Sequence, residues 1–498
     1  MTFSATLEEI RSGPRGPEIG AFFDFDGTLI EGYSANALYS HRLRTHDLGI
    51  GEVMHTVKAM SGGTLAESEF MSLVNRGFTS WAGRPVEELE ELGEELFRKQ
   101  IAGSLWHETW RLVKAHQRQG HTVAIATSAT RFQVAPMARE LGIEHVLCTE
   151  LESKAGLLTG KVKGRTLWGP GKIAAVRSFS KKQGVELGQS FGYANGDEDV
   201  PFLAAMGHPC AINPQPELVV AAEAGGWPVL RTRTTPGRLD PKPALRTAAL
   251  YGTLIGAGVA GVALGALSRD RRRGIDFATS TFAQVGGVLS NVHVEVIGEE
   301  NLWKHRPAVF VINHQSSLID LLVTTTVLRG GITAVAKQEA AHIPVIGQLL
   351  TMADFAFIDR GNSGQAQEAL KQALERLQAG TSIVISPEGT RSLTPRVGEF
   401  KKGGFHLAMQ AGVPIVPIVI RNSGELMWRN AKTTRSGTVE VRVLDPIPTD
   451  GWTKADLDLA VRKVHQLYED TLESWPGADA PVGRTAVLPL DDRGEADG

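Results

Sequence analysis

Residues 308–320 read AVFVINHQSSLID. The apolar run 308–312, rich in β-branched and aromatic side chains, predicts a short buried strand. It runs directly into Asn313-His314-Gln315-Ser316 and closes on Asp320. A histidine just past the end of a strand, with an aspartate one or two helical turns on, is a general base with a carboxylate that fixes its tautomer and stabilises its positive charge. No Ser or Cys nucleophile elbow stands nearby, so the imidazole would act directly on a substrate hydroxyl.

Working outward, strands are expected at 333–336, 355–358, 382–386 and 415–420, with an amphipathic helix at 365–377. Three of these strands end in polar blocks. Phe357-Ile358-Asp359-Arg360 closes one on a guanidinium. Pro387-Glu388-Gly389-Thr390-Arg391-Ser392 follows another, and Phe400-Lys401-Lys402-Gly403 comes shortly after. Together they place Arg360, Arg391, a Gly turn, the Thr390 hydroxyl and the Lys401 ammonium at one sheet edge. That is the chemistry of a phosphate-monoester site, in which Arg gives bidentate contacts and Lys a point charge. Glu388 cannot itself hold phosphate and is expected to orient Arg391 or its loop. The apolar, proline-bearing 413–417 segment is expected to wall an acyl or CoA channel.

As an ordered set, NHQSS…D, FIDR, PEGTRS and VPIVP resemble the glycerophospholipid acyltransferases of the PlsC type, over roughly 275–450. The resemblance implies acyl-CoA (or acyl carrier protein) as donor and a lysophosphatidic-acid-like acceptor, with glycerol 3-phosphate or another lysophospholipid as the alternative. It makes His314 the base, Asp320 its partner, and Arg360, Glu388, Gly389, Thr390 and Arg391 the phosphate and substrate block. The sequence departs from the pattern twice. Five residues rather than the usual four separate His314 from Asp320, and Asp354 stands where a glycine usually precedes the FIDR-type block.

A second site is written near the start. The apolar strand 21–25 ends in Asp24-Phe25-Asp26-Gly27-Thr28. Two carboxylates two residues apart on a strand point to one face, at the sheet edge where ligands bind in open α/β folds. Such a pair suits Mg²⁺, and one member can attack phosphorus. DFDGTL resembles the haloacid-dehalogenase superfamily, over residues 20–215, in its phosphoserine-phosphatase-like branch. The resemblance implies Asp24 as nucleophile, Asp26 as general acid/base, Thr127 at the end of strand 123–126 and Lys172 as phosphate-binding residues, and Asp24, Asp26, Asn195 and Asp199 as the metal site. Asn195 is the departure: the family's acid is here an amide, which ligates through its carbonyl oxygen without charge. That weakens metal binding and leaves open an active phosphatase or a non-catalytic module. Lysophosphatidic acid's product, phosphatidic acid, and phosphoserine are the two substrates considered for this half.

The 498 residues suffice for two or three domains. Residues 1–19 read as a flexible tail. Residues 20–220 read as a Rossmann-like α/β phosphatase domain with a helical cap at about 35–118, and 221–246 as a linker. A membrane-associated helix with its basic flank is expected at 247–274, an α/β acyltransferase domain at 275–475 and a disordered tail at 476–498. The stretch 247–267 carries no charge over about 21 residues, contains the pairs Gly252/Gly256 and Gly261/Gly265, and is flanked by Arg246, Arg269 and Arg271, Arg272 and Arg273. It is expected to lie as a re-entrant or single-helix anchor at the cytoplasmic face of the cell membrane, pairing with a helix near 276–290. A formal net charge of -3 gives no field for nucleic acid. Two cysteines, Cys148 and Cys210, make neither a metal pattern nor a disulfide scaffold and fit a reducing compartment. No secretory signal is visible at the N-terminus.

Overall fold

The computed structural model describes residues 2–45, 67–232, 242–342, 346–352, 355–358 and 363–475. It divides into two compact units, 1–238 and 239–498. Each is an α/β layer structure, and each is described by itself.

In the first unit the described strands β1 (Gly20–Phe23), β2 (Thr122–Thr130), β3 (His145–Thr149), β6 (Phe191–Ala194), β7 (His208–Ile212) and β8 (Val229–Leu230) form a parallel sheet in the order β3-β2-β1-β6-β7-β8. All four residues of β1 are buried, as a central strand covered on both faces requires. Phe22 points to one face, edge-on to Phe179; Phe23 points to the other, stacked on Tyr193 at 4.5 Å. The strands β4 (Leu151–Lys154) and β5 (Leu157–Val162) form a separate antiparallel hairpin, which packs on the helix Glu67–Phe78.

The boundaries expected for this unit shift in three places. Residues 1–19 are not a loose tail: Phe3–Ser12 is a helix capped by Thr2, with Leu7 and Ile10 buried. Gln119 closes it down, donating to the Arg11 carbonyl and accepting from Arg15 Nε. The helix His107–Arg118, expected in the cap, instead packs on β2 and on that N-terminal helix, because its Leu112, Val113 and His116 face the sheet. The linker expected from 221 begins later, since Pro216–Gly225 completes a helix and β8 adds an edge strand.

In the second unit β9 (Val292–Ile297), β10 (Val309–Ile312), β11 (Ile332–Lys337), β12 (Ala356–Ile358), β13 (Ser382–Ile385), β14 (Ile415–Ile420) and β15 (Gly437–Val443) lie in the order β12-β11-β13-β10-β14-β15-β9. Only the β14–β15 pairing is antiparallel among those described. All six residues of β14 are buried between β10 and β15, so this strand is sheet core and not the wall of an open channel. The strand signal of β9 and β15 was missed because charged residues alternate along each, as edge and near-edge strands allow.

The uncharged segment is a helix, Lys242–Ser268, longer and earlier-starting than expected. It pairs with Arg271–Thr281 as a tight hairpin: a Cβ at Gly274 would stand 2.3 Å from the Gly261 carbonyl oxygen. Among the described residues nothing lies within 4 Å of a Cβ built at Gly252 or Gly256, so of the two glycine pairs the second makes the close contact. Leu250 and Phe282 are buried in the same core as Phe310, Leu318 and Leu322, so the hairpin belongs to this unit. Expectations for Arg360, Asp354 and 476–498 fall outside the described residues.

Candidate active sites

In the second unit β10 delivers His314 to the sheet edge. Asn313 fixes the exit: its amide donates to the Ile420 carbonyl and accepts the Ile420 N–H, both at 2.7 Å. The chain then turns into the helix Ser317–Leu328, whose first turn carries Asp320. Asp320 Oδ2 lies 2.7 Å from His314 Nδ1 and accepts the backbone N–H groups of Gln315 and Ser316 at 2.9 Å each. The extra residue between the two is thus absorbed in the turn, which wraps around the carboxylate. Asp320 is 2% exposed and its other oxygen makes no hydrogen bond. A carboxylate only accepts, so His314 Nδ1 carries a proton, and in the neutral ring Nε2 is then the nitrogen with the free lone pair.

Glu388 is the second buried acid here, 5% exposed. Its Oε1 accepts the His314 backbone N–H at 2.7 Å; its Oε2 accepts the Ser392 hydroxyl at 2.6 Å and the Gly398 N–H at 2.8 Å. Burial pushes its carboxyl up to about 7 against the pull of those three donors. It therefore holds its loop, as expected, but not Arg391, whose guanidinium donates to the Arg429 carbonyl. Gly389 has φ 73°, a left-handed turn that a side chain resists, in the loop after β13. Thr390 and Lys401 are exposed, and the Lys401 N–H donates to the Pro387 carbonyl, so both stand beside this loop. Ser392, Gly398, Trp428 and Arg429 were not singled out from the sequence. Ser392 lies inside the quoted block, whereas nothing in the local pattern marks Arg429.

In the first unit Asp24 follows β1 and Lys172 comes from the first turn of the helix Pro170–Gln183. Lys172 Nζ lies 2.9 Å from Asp24 Oδ1 and 2.6 Å from Asp199 Oδ1, all three side chains being at most 8% exposed. Burial alone would lower the lysine, but Asp199 and Asp24 outweigh it and hold its ammonium above the ordinary range. Asp26 is turned aside to Ser34, accepting its N–H at 2.6 Å and its hydroxyl at 3.1 Å, and burial first, Asp24 second, push it up to about 7. Ser34 is in turn held by Gln133 Nε2. Thr127 is buried on β2, one strand over from Asp24, its hydroxyl accepting the Ala129 N–H. Asn195 Oδ1 lies 3.2 Å from the Thr28 hydroxyl, which also lies 3.4 Å from Asp24 Oδ2. Gly27 has φ 75°, and a Cβ there would strike the Asn195 amide at 2.2 Å.

This cluster suits a hard divalent cation in donor chemistry. Two buried carboxylates, Asp24 and Asp199, face one ammonium, Asp199 Oδ2 makes no hydrogen bond, and Asp24 Oδ2 and Asn195 Oδ1 both approach the Thr28 hydroxyl. It is not a closed cage: among the described residues no group of three or more His, Cys, Asp or Glu converges on one ion.

Comparison with known proteins matches a different family to each unit. Residues 21–204 match the model of the haloacid dehalogenase-like hydrolases, and residues 293–421 that of the acyltransferases. Over 211 residues the chain is 33% identical to a 1-acyl-sn-glycerol-3-phosphate acyltransferase of Saccharomyces cerevisiae, covering 42% of this chain and 69% of that protein. Over 268 residues it is 32% identical to a phosphoserine phosphatase of Mycobacterium tuberculosis, covering 53% of this chain and 84% of that one. An uncharacterized acyltransferase of Schizosaccharomyces pombe is 39% identical over 177 residues, 35% of this chain, which spans 63% of that relative's length. The chain belongs to both families, joining a haloacid dehalogenase-like hydrolase domain to a PlsC-type acyltransferase domain.

Proposed function

We propose that the second unit transfers an acyl group from acyl-CoA to the free hydroxyl of lysophosphatidic acid, giving phosphatidic acid for phospholipid synthesis. The observation that carries this is the His314–Asp320 contact, which engages Nδ1 and leaves Nε2 as the ring nitrogen available to a substrate beside the phosphate-block loop. The acceptor hydroxyl gives its proton to Nε2 as its oxygen attacks the thioester carbonyl. A C–O bond forms, the C–S bond breaks, and the departing CoA thiolate takes the proton back from the imidazolium. Asp320 stabilises the charged ring meanwhile. Arg391, with Thr390, Lys401 and Arg360, holds the acceptor phosphate, and Glu388 with Gly389 sets the loop.

The first unit is a phosphatase in the same reading. Mg²⁺ held by Asp24, Asp26, Asn195 and Asp199 would neutralise phosphoryl oxygens. Asp24 attacks phosphorus, Lys172 and Thr127 bind the transferred group, and Asp26 gives a proton to the leaving oxygen and then takes one from water. Its substrate is the phosphatidic acid made by the second unit. Phosphoserine is the other reading, favoured by the likeness to the mycobacterial phosphoserine phosphatase.

The Lys242–Ser268 helix seats the protein on the cytoplasmic face of the cell membrane. Supporting this, Leu245, Val259, Val262 and Leu267 are exposed along it, and Phe277, Val285, Val288 and Leu289 in the segment that follows.

The deciding experiment incubates the protein in liposomes with acyl-CoA, lysophosphatidic acid and Mg²⁺, following free thiol and free phosphate together. Thiol release lost in His314→Ala supports the acyltransferase, and phosphate release lost only in Asp24→Asn supports the phosphatase. No thiol release with any glycerophosphate acceptor overturns the main reading.

A further inference from the structure

Beside the phosphate-block loop lies a pair of arginines, one of which the chemistry above does not use. Arg391 Nη1 donates to the Arg429 carbonyl at 2.7 Å, and Arg429 Nη1 donates back to the Arg391 carbonyl at 2.8 Å. Trp428 Nε1 adds a third bond, to the Leu393 carbonyl at 3.0 Å. These bonds fasten the segment after β14 to the loop after β13. That loop is fastened in turn to the base, because the Ser392 N–H donates to the His314 carbonyl at 2.7 Å. Arg429 is therefore bonded to a residue whose chain neighbour is bonded to His314.

The reciprocal bonds hold two guanidinium groups together without neutralising them. Neither Arg391 nor Arg429 forms an ion pair with an acid among the described residues. The acid of the same loop, Glu388, is engaged with His314, Ser392 and Gly398. Each guanidinium uses Nη1 alone among its nitrogens, and Arg429 Nε is buried with no hydrogen-bond partner. Burial, and then the Arg391 charge, hold the Arg429 guanidinium below its ordinary range. Two guanidinium groups close enough for one charge to act on the other, and paired with no acid among the described residues, are complementary to an anion that offers several oxygens and about two negative charges.

We propose that Arg429 is the second guanidinium of the acceptor's phosphate site, and that with Arg391 it selects a phosphomonoester dianion over a phosphodiester monoanion. This rests on reading the second unit as an acyltransferase for a glycerophosphate acceptor. A monoester carries about −1.5 to −2 at neutral pH, so it matches two guanidinium charges; a diester carries one charge and has one terminal oxygen fewer to offer the forks. Backbone carbonyls, rather than acids, hold the pair in place, which leaves its charge for the ligand.

The test compares thiol release from acyl-CoA with two acceptors, lysophosphatidic acid and its phosphate methyl ester, in wild type, Arg429→Gln and Arg429→Lys. The wild type favours the monoester. Arg429→Gln raises KM for the monoester at least about tenfold, the size of one charge-assisted hydrogen bond, with the loss in KM rather than kcat. Its KM for the diester changes little, so discrimination collapses. Arg429→Lys recovers part of the preference, and carries the test alone should the glutamine variant fail to fold. The wild-type monoester KM falls as pH rises through the second phosphate ionisation near about 6, and this slope flattens in Arg429→Gln. Unchanged discrimination, or equal rises of both KM values, would make the pair a loop staple and overturn the proposal. So would inhibition by inorganic phosphate that Arg429 controls while the lysophosphatidic acid KM does not move, which assigns the pair to free phosphate. If the wild type turns over neither acceptor, the acyltransferase reading itself fails. Calorimetric titration with inorganic phosphate then decides whether the pair binds a phosphate dianion, and equal binding by wild type and Arg429→Gln overturns the proposal there too.

Discussion

The Glu388 carboxylate accepts the backbone N–H of His314 at 2.7 Å, although 73 residues lie between them in the chain. Its other oxygen takes Ser392 and Gly398, so one buried group ties His314 to the loop after β13. Glu388→Gln replaces an acceptor by an amide N–H facing donors, which leaves buried N–H groups unpaired. Acyl transfer should fall at least about tenfold, and the melting temperature should drop, as read by thiol release and calorimetry. Retention of both would show that the carboxylate is dispensable.

The same group gives a pH signature. Its folded-state value of about 7 lies above the ordinary 4.5, so the folded chain binds the extra proton between them. Its contribution to stability is full below about 4.5 and is lost as pH rises through about 7. The melting-temperature difference between wild type and Glu388→Gln should therefore shrink from pH 5 to pH 8. A difference that grows over that range would mean the carboxyl is not raised.

Asp320→Asn keeps the shape of the turn but can present an N–H to Nδ1, which favours the tautomer with the proton on Nε2. A fall in kcat of about 10³ to 10⁴ with a small change in KM is expected. An undiminished kcat at neutral pH would remove Asp320 from the catalytic pair.

Asn195→Asp is nearly isosteric, so the contact with Gly27 survives while a charge is added beside Asp24. The Mg²⁺ concentration for half-maximal phosphate release should fall about tenfold or more, since a charged oxygen ligates better than a neutral one. No shift in that midpoint would place Asn195 outside the metal's ligands.

Val259→Lys with Val262→Lys puts two charges on exposed positions of the Lys242–Ser268 helix, 60% and 40% exposed, and leaves the core alone. Flotation with liposomes of zwitterionic lipid should lose the double variant from the lipid fraction while its melting temperature holds. Equal flotation would clear this face of lipid contact.

Both sites were legible where chemistry coincides with a strand end: Asp24 and Asp26, and His314 with Asp320, are written in contiguous motifs. The turn that absorbs the extra residue was not legible, because it depends on Gln315 and Ser316 offering backbone N–H groups to one carboxylate. The N-terminal helix was misread because its apolar residues, Leu7 and Ile10, are few and its partner Gln119 lies far along the chain. Arg429 was invisible for the same reason: its meaning comes from two loops that meet only in the fold. The strand at 415–420 was located correctly, but whether an apolar run lines a channel or fills a sheet is decided by its neighbours, β10 and β15.

The Lys242–Ser268 helix exposes Val259 and Leu267, yet its Leu250 is buried with Phe310 and Leu322, and its Thr247 hydroxyl accepts the Thr434 N–H. A helix so placed is a keel rather than a mooring line. Trimming it would open the hull around Phe310 and Leu322, so this long apolar helix is a part that the second unit needs in order to fold.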